Sequence, residues 1–320
     1  MRKAIGVDLG GSHVTAGVVQ EDGAILSRHE EDITDRAFAV VLASIDKVVR
    51  AAIKESGSDV AGVGLGSPGN IDPRTGSVLY SPNFLWQNVP LGEHLRAAFN
   101  MPVFIANDAR CATLGEYTFG TGKSTQNFAL LTIGTGIGGG IVSGGQLLIG
   151  NHAGAGEIGH HQIRPTDGFV CGCGKIGCFE AQASGTGLLR HALAVAPSFP
   201  RSTLLQKTPD KLGSKAIRRA AEAGDQHAVT AWKRFCADLA IGVANIIAFV
   251  NPDVIALGGG VSSAGDFMID AIRASVDDLT TMVPKGTTEL KIAKLGNDAG
   301  QVGAATMAFR GGLTTGKSAA

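Results

Sequence analysis

No apolar run in this chain of 320 residues reaches membrane-spanning length without interruption, which argues against a transmembrane helix. The Met1-Arg2-Lys3 start passes directly into a strand-like pattern with no signal-peptide core, so a cytoplasmic protein with no membrane partner is expected. Neither charge is in excess. The 28 basic side chains balance 28 acidic ones and form no basic block, so no nucleic-acid partner is expected. Cysteine is sparse at five residues, and three of them fall between positions 171 and 178. That clustering fits a metal set in a reducing compartment better than a disulfide scaffold. Glycine is abundant at 46 residues but lacks collagen's period; it gathers after apolar runs, as repeated strand-to-loop turns do. A chain of this length is expected to form two domains.

The stretch from Glu157 to Glu180 organises the rest. Cys171, Cys173 and Cys178, with His160 or His161 upstream, make the three-thiolate, one-imidazole complement of a structural Zn²⁺ site with no position left for substrate. Gly172, Gly174 and Gly177 allow the tight turns that such short spacing demands. Folding round one ion would bring Glu157 and Glu180 from the two ends of the segment towards one place.

Taken in order, Ala4–Val7, Val14–Val19 and Ala24–Arg28 read as an antiparallel meander. The bend after the first strand, with Gly10, Gly11 and Ser12, exposes backbone N–H groups and a hydroxyl suited to phosphate oxygens. Asp8 at its start is placed to hold Mg²⁺ through water, or to cap the turn. A helix is predicted over 36–56. Gly64, Gly66 and Gly69 after the next strand match G-x-G-x-x-G, but Pro68 and the loop that follows do not open a helix. These glycines, Gly66 among them, instead let backbone approach a small ligand. Asn83 lies in a loop with an amide that can donate and accept. The strand Val103–Ile105 delivers Asn107 and Asp108 ahead of a helix over Ala109–Tyr117, where open α/β sheets place ligand-binding groups. Asp108 is the residue suited to proton abstraction and also to capping that helix, with Asn107 orienting the substrate.

The segment 126–150 repeats the N-terminal plan: strand Phe128–Ile133, bend Gly134-Thr135-Gly136, strand Ile141–Val142 and a further strand from Gln146. Aligning Val7–Gly11 with Leu131–Thr135 suggests two related domains facing a cleft, with nucleotide phosphates between them. Trp232, Phe235, Leu239, Val243 and Ile246 mark a long buried helix ending near Asn251-Pro252. The strand Val254–Leu257 ends in Gly258, Gly259 and Gly260, which would let an adenosine ring lie against backbone or serve only as a tight joint. A strand over Leu290–Lys294 and a helix over Val302–Phe309 complete the pattern. Gly311 to Ser318 formally satisfies the P-loop pattern, but no strand precedes it and the sequence ends two residues later.

Asp8-Leu-Gly-Gly-Ser12, Gly64-Leu-Gly-Ser-Pro-Gly69, Asn107-Asp108, Gly134-Thr-Gly-Ile-Gly-Gly139, Glu157-Ile-Gly-His160 and Cys171-Gly-Cys-Gly-Lys-Ile-Gly-Cys-Phe-Glu180 together resemble the signatures of the ROK (repressor, open reading frame, kinase) sugar kinases. The resemblance implies an α/β fold of two actin/hexokinase-like (ribonuclease H-like) domains with a ligand cleft between them. It places 1–118, completed by a C-terminal helix over 302–320, in a small domain. Residues 119–301, with the zinc segment 157–180 inserted, would form a large one. It also implies Mg-ATP-dependent phosphorylation of a hexose at its 6-hydroxyl, a structural zinc, and a homodimer. By this likeness Asp108 is the general base, and Gly66, Asn83, Asn107, Glu157, His160 and Glu180 lie at the sugar. Asp8, Gly10, Gly11, Ser12, Gly134, Thr135, Gly136 and Gly258–Gly260 serve the nucleotide, and His160, Cys171, Cys173 and Cys178 hold zinc. The glucokinase branch is the best match; kinases of fructose, N-acetylglucosamine, N-acetylmannosamine or allose share the catalytic set. The family also includes sugar-sensing repressors, but a first glycine bend at residue 10 leaves no room for a helix-turn-helix before it.

Overall fold

Two five-stranded sheets with one strand plan account for the α/β architecture seen in the computed structural model, which describes residues 1–57, 59–206 and 212–313. The first sheet contains β1 (Lys3–Leu9), β2 (His13–Gln20), β3 (His29–Asp32), β4 (Val60–Ser67) and β8 (Val103–Asn107) in the order β3-β2-β1-β4-β8. Its first three strands are antiparallel, and β4 and β8 run parallel to β1. The second contains β9 (Phe128–Ile133), β10 (Ile137–Ser143), β11 (Gln146–Leu147), β12 (Val254–Gly258) and β13 (Glu289–Ile292) in the order β11-β10-β9-β12-β13. Here too a hairpin is followed by parallel neighbours, β12 and β13. The duplication expected from the two Gly bends is therefore a duplication of topology. The chain forms two compact units: Met1–Ser124, Gly140–Gly156 and the stretch from Lys294 onward make one; Thr125–Gly139 and Glu157–Ala293 make the other.

In the first unit, β1 sorts its side chains by the two-residue period of a strand. Ile5, Val7 and Leu9 join the core with α1 (Phe38–Ser56), which buries Val41, Ile45, Val48, Val49 and Ala52. Ala4, Gly6 and Asp8 face α9 (Ala299–Arg310) instead. Ala4 packs with Val302, Ala305 and Ala308, and a side chain at Gly6 would strike the Gln301 carbonyl. The same period thus turns Asp8 towards the first turn of α9. Helix α3 (Asp108–Phe119) follows β8 directly, and α2 (Leu91–Phe99) precedes it.

The expected third strand, Ala24–Arg28, is displaced to His29–Asp32, and Ile25 makes a single bridge to Val19. The charged run His29-Glu30-Glu31-Asp32 carries no hydrophobic signal, yet charge suits the sheet edge it occupies. A small sheet of β5 (Asn70–Ile71), β6 (Val78–Ser81) and β7 (Trp86–Val89) lies in a stretch whose prolines, glycines and asparagines read as loop. The C-terminal helix begins three residues earlier than expected, at Ala299. Gly316, Lys317 and Ser318 of the P-loop-like match, and the end of the 302–320 segment, lie outside the described residues.

In the second unit, α4 (Phe179–Ala183), α5 (Gly185–Val195), α6 (Ser214–Glu222) and α8 (Asp266–Leu279) surround α7 (Gln226–Val250) or pack beside it. The long helix starts where Asp225 Oδ1 accepts the Ala228 N–H at 2.9 Å, and it stops at Asn251, in the left-handed region before Pro252. It buries the expected apolar set and, with no exposed surface at all, Asp238. Among the described residues no helix is long and apolar enough to cross a membrane.

Candidate active site and metal centre

Strand register sets the first cluster. Asp8 pairs with Gly66 across β1 and β4, and Gly66 and Ser67 pair with Ala106 and Asn107 across β4 and β8. Asp8, Gly66 and Asn107 therefore stand along the carboxyl ends of three parallel strands, with Asp108 the next residue after Asn107. Burial pushes the Asp8 carboxyl up to about 6; the Asp108 charge adds to the rise and His13 opposes it. Gly300, in the first turn of α9, lies against this carboxylate: a Cβ there would stand 2.8 Å from Asp8 Oδ2, so a side chain would displace it. The carboxylate thus sits at a helix N-terminus, where the backbone dipole favours negative charge.

The bend after β1 is closed by a hydrogen bond from the Gly10 N–H to the His13 carbonyl at 2.9 Å. Gly11 and Ser12 form its exposed tip, and the Ser12 hydroxyl lies 3.2 Å from His13 Nδ1. Asn83, between β6 and β7, approaches this bend: a Cβ on Gly11 would stand 3.6 Å from its Nδ2. Flanking aromatics fix that loop, with Phe84 and Trp86 stacked at 4.5 Å and the indole N–H donating to the Arg36 carbonyl at 2.8 Å.

Asn107, not Asp108, caps α3. Its Oδ1 accepts the Arg110 N–H at 3.2 Å, and its amide donates to the Gly69 carbonyl at 3.1 Å. Asp108 is the first helical residue, and its Oδ1 accepts the Ala109 N–H at 2.8 Å. Capping is therefore done by a neutral amide that also ties the Gly69 loop. Arg110, unnoticed in the sequence because cations are rarely core residues, is 1% exposed and donates to the Ala155 carbonyl at 2.8 Å.

In the second unit the bend Gly134-Thr135-Gly136 joins β9 to β10. The Gly134 N–H reaches the Gly136 carbonyl at 2.9 Å, while the Gly185 N–H and the Thr186 hydroxyl, at the start of α5, donate to the Gly134 and Thr135 carbonyls at 2.8 Å. Gly258, Gly259 and Gly260 end the neighbouring β12. Gly259 has φ +83° and lies against Ile133, so its missing Cβ serves both conformation and contact. These two glycine groups are thus adjacent.

The Cys segment folds through two antiparallel bridges, Gln162 with Cys178 and Val170 with Ile176, and a turn in which the Cys171 N–H donates to the Lys175 carbonyl at 2.8 Å. One donor atom from each of His160, Cys171, Cys173 and Cys178 lies within 4.8 Å of all the others. Cys173 and Cys178 sulfurs are 3.6 Å apart, and Cys171 Sγ is 3.8 Å from His160 Nδ1. Tetrahedral Zn²⁺ with sulfur at about 2.3 Å separates its ligand sulfurs by about 3.8 Å, so these residues fit that ion. His161 is the histidine left out: its Nδ1 engages the Ile158 carbonyl at 2.6 Å and its ring lies 5.2 Å from Phe179. Glu157 is exposed and precedes the 3-10 turn Ile158–His160. Glu180, two residues after Cys178, has Oε1 3.7 Å from Cys171 Sγ while Oε2 accepts the Ile137 N–H at 2.9 Å. A side chain at Gly136 would strike that carboxylate. The link from the Cys segment to the second glycine bend was not legible from spacing.

Comparison with known proteins follows the same lines. Residues 4–310 match the ROK family sequence model. The chain is 38% identical over 314 residues to a glucokinase of Streptomyces coelicolor, covering 96% of this chain and 98% of that one. It is 38% identical over 309 residues to a glucokinase of Thermotoga maritima, covering 95% and 96%. Among solved structures it resembles a ROK family glucokinase from Streptomyces griseus in complex with glucose and AMPPNP, with a TM-score of 0.83, 36% identity, and coverage of 96% and 99%. With the match running over nearly the whole chain, the chain belongs to the ROK family.

Proposed function

We propose that this chain is a glucokinase that transfers the γ-phosphoryl group of ATP to the 6-hydroxyl of glucose, with Asp108 as general base. One observation carries the reading. Two half-buried carboxylates stand at the carboxyl edge of one sheet in different settings: Asp8 against the N-terminus of α9, and Asp108 at the first turn of α3 beside an Asn cap. Similarity to glucokinases over nearly the whole chain selects the substrate.

Asp108 takes the proton of the attacking hydroxyl, converting a poor nucleophile into an alkoxide-like one. Asn83, Asn107, Glu157, His160 and Glu180 orient the sugar by its other hydroxyls, and backbone at Gly66 lets the ring approach the strand end. N–H groups of Gly11, Thr135 and Gly136, with the Ser12 hydroxyl, stabilise charge on the phosphate oxygens, while Gly10 and Gly134, whose own N–H groups close the two bends, hold those bends in shape. Gly258, Gly259 and Gly260 give the adenosine a flat backbone surface. Asp8 holds Mg²⁺, which when bound neutralises phosphate charge. His160, Cys171, Cys173 and Cys178 hold Zn²⁺, which when bound fixes the His160 ring so that its second nitrogen is an aimed sugar contact.

We take the small domain as 1–118 with the C-terminal helix, the large one as 119–301, and the working assembly as a homodimer with no nucleic-acid partner. The balanced charge supports the last point. A coupled assay of purified protein with ATP against a panel of hexoses tests the substrate. Glucose should give the highest kcat/KM, and preference for fructose or an N-acetylated hexose would overturn that choice. Light scattering after gel filtration should give twice the mass of 32.7 kDa.

A further inference from the structure

The Cys-bearing segment is seated on α7 at two positions one helical turn apart. The first is Asp238, which has no exposed surface and whose Oδ1 accepts the Arg164 Nε–H at 2.6 Å. Its Oδ2 lies 3.1 Å from His191 Nε2 without the alignment of a hydrogen bond, and that nitrogen is equally close to the Gln182 carbonyl. The second is Gly242, whose missing side chain leaves room for the ring of Phe179. Phe179 directly follows Cys178 and is fully buried.

Arg164 is tied as closely at its other end. Its N–H donates to the Gly177 carbonyl and its own carbonyl accepts the Gly168 N–H, both at 3.1 Å. A side chain at Gly177 would strike that same carbonyl. The residue before Cys178 therefore rests on Arg164, and Arg164 rests on Asp238. An ordinary core ion pair would bury both partners, because an unsolvated charge needs compensation on every side. Here the Arg164 side chain is 37% exposed and only the carboxylate is sealed. The arrangement is a surface segment reaching inward to an anchor.

We propose that Asp238 is a positioning residue for the metal segment. Acting through Arg164, it holds Gly177 and Cys178, and with them the start of α4 that carries Glu180. This rests on the reading of His160, Cys171, Cys173 and Cys178 as a zinc site and of Glu180 as a sugar contact.

The test compares purified Asp238→Asn, Arg164→Gln and Arg164→Lys proteins with the unaltered chain. Zinc content, the rate of zinc transfer to a chromophoric chelator, and the KM for glucose are measured. Partners that orient metal ligands are worth 10–100-fold in metal affinity or activity. Asp238→Asn and Arg164→Gln should release zinc at least tenfold faster and raise the glucose KM more than they lower kcat. Arg164→Lys, which keeps a cation, should recover most of both. Arg164→Gln reads the contact from its partly exposed side, so the test stands even where Asp238→Asn does not fold. Zinc release and glucose KM at unaltered values in Arg164→Gln would overturn the proposal. If the unaltered chain carries no zinc, the metal reading fails separately, and the glucose KM of Arg164→Gln against Arg164→Lys still decides the role of Asp238.

Discussion

Glu180 accepts the Ile137 N–H at 2.9 Å, so the carboxylate that leads out of the Cys segment also holds the first residue after the Gly134–Gly136 bend. One side chain is shared between the proposed sugar contacts and the proposed phosphate loop.

Removing that sharing separates the two roles. Glu180→Gln keeps an oxygen for Ile137 and should raise the KM for glucose alone. Glu180→Ala leaves the N–H without its acceptor and should raise the KM for ATP as well. Loss of a hydrogen bond to a charged group costs about 1.5–3 kcal/mol, so each rise should be roughly 10–100-fold. Equal ATP KM values in the two variants would remove the phosphate-loop role.

The histidine pair gives a second contrast. His160→Ala should abolish stoichiometric zinc and raise the glucose KM steeply, whereas His161→Phe should retain zinc, because His161 engages the Ile158 carbonyl and packs beside Phe179. Metal analysis of both variants checks this; loss of zinc from His161→Phe with retention in His160→Ala would reverse the assignment.

Asp8 predicts a pH dependence whose sign is set by its burial. Its carboxyl is raised from 3.8 to about 6, so between these values the native chain keeps a proton that the unfolded chain has released. Stability without nucleotide should therefore fall as pH rises through this window, by about 3 kcal/mol in all from this group. Asp8→Asn should remove that fall and be the more stable protein at pH 7, while losing Mg-ATP turnover. In the unaltered chain kcat/KM for ATP should drop below about pH 6, where the carboxyl is protonated and cannot serve a cation. Thermal melts of both proteins from pH 4 to 7 measure the effect; parallel curves would show that Asp8 does not titrate in this window.

Much of this arrangement was legible because it depends on local pattern. An apolar run ending in glycines marks a strand and its bend, and both sheets announced themselves in that way at Val7–Gly11 and Leu131–Thr135. Short cysteine spacing marked the metal segment, and the choice between His160 and His161 needed only their side-chain directions. What stayed hidden depends on partners distant in sequence. Asp238 reads as one polar position in an apolar helix until Arg164, 74 residues earlier, is seen beside it. Arg110 gives no sign of burial until Ala155 offers its carbonyl. The strand at His29–Asp32 is written in charge, and edges are where hydrophobic pattern is weakest. Asn107 took the cap assigned in part to Asp108 because two neighbouring side chains compete for one helix end, and sequence alone does not rank them.

The central claim is that Asp108 moves a proton and does not merely bind. Glucose affinity by calorimetry and single-turnover phosphorylation should be measured together on Asp108→Asn. The expected result is a dissociation constant for glucose within a few-fold of the unaltered chain and a rate lower by roughly 10²–10⁴, the range for loss of a general base. A rate near that of the unaltered chain, or a loss explained wholly by weaker glucose binding, would contradict the account.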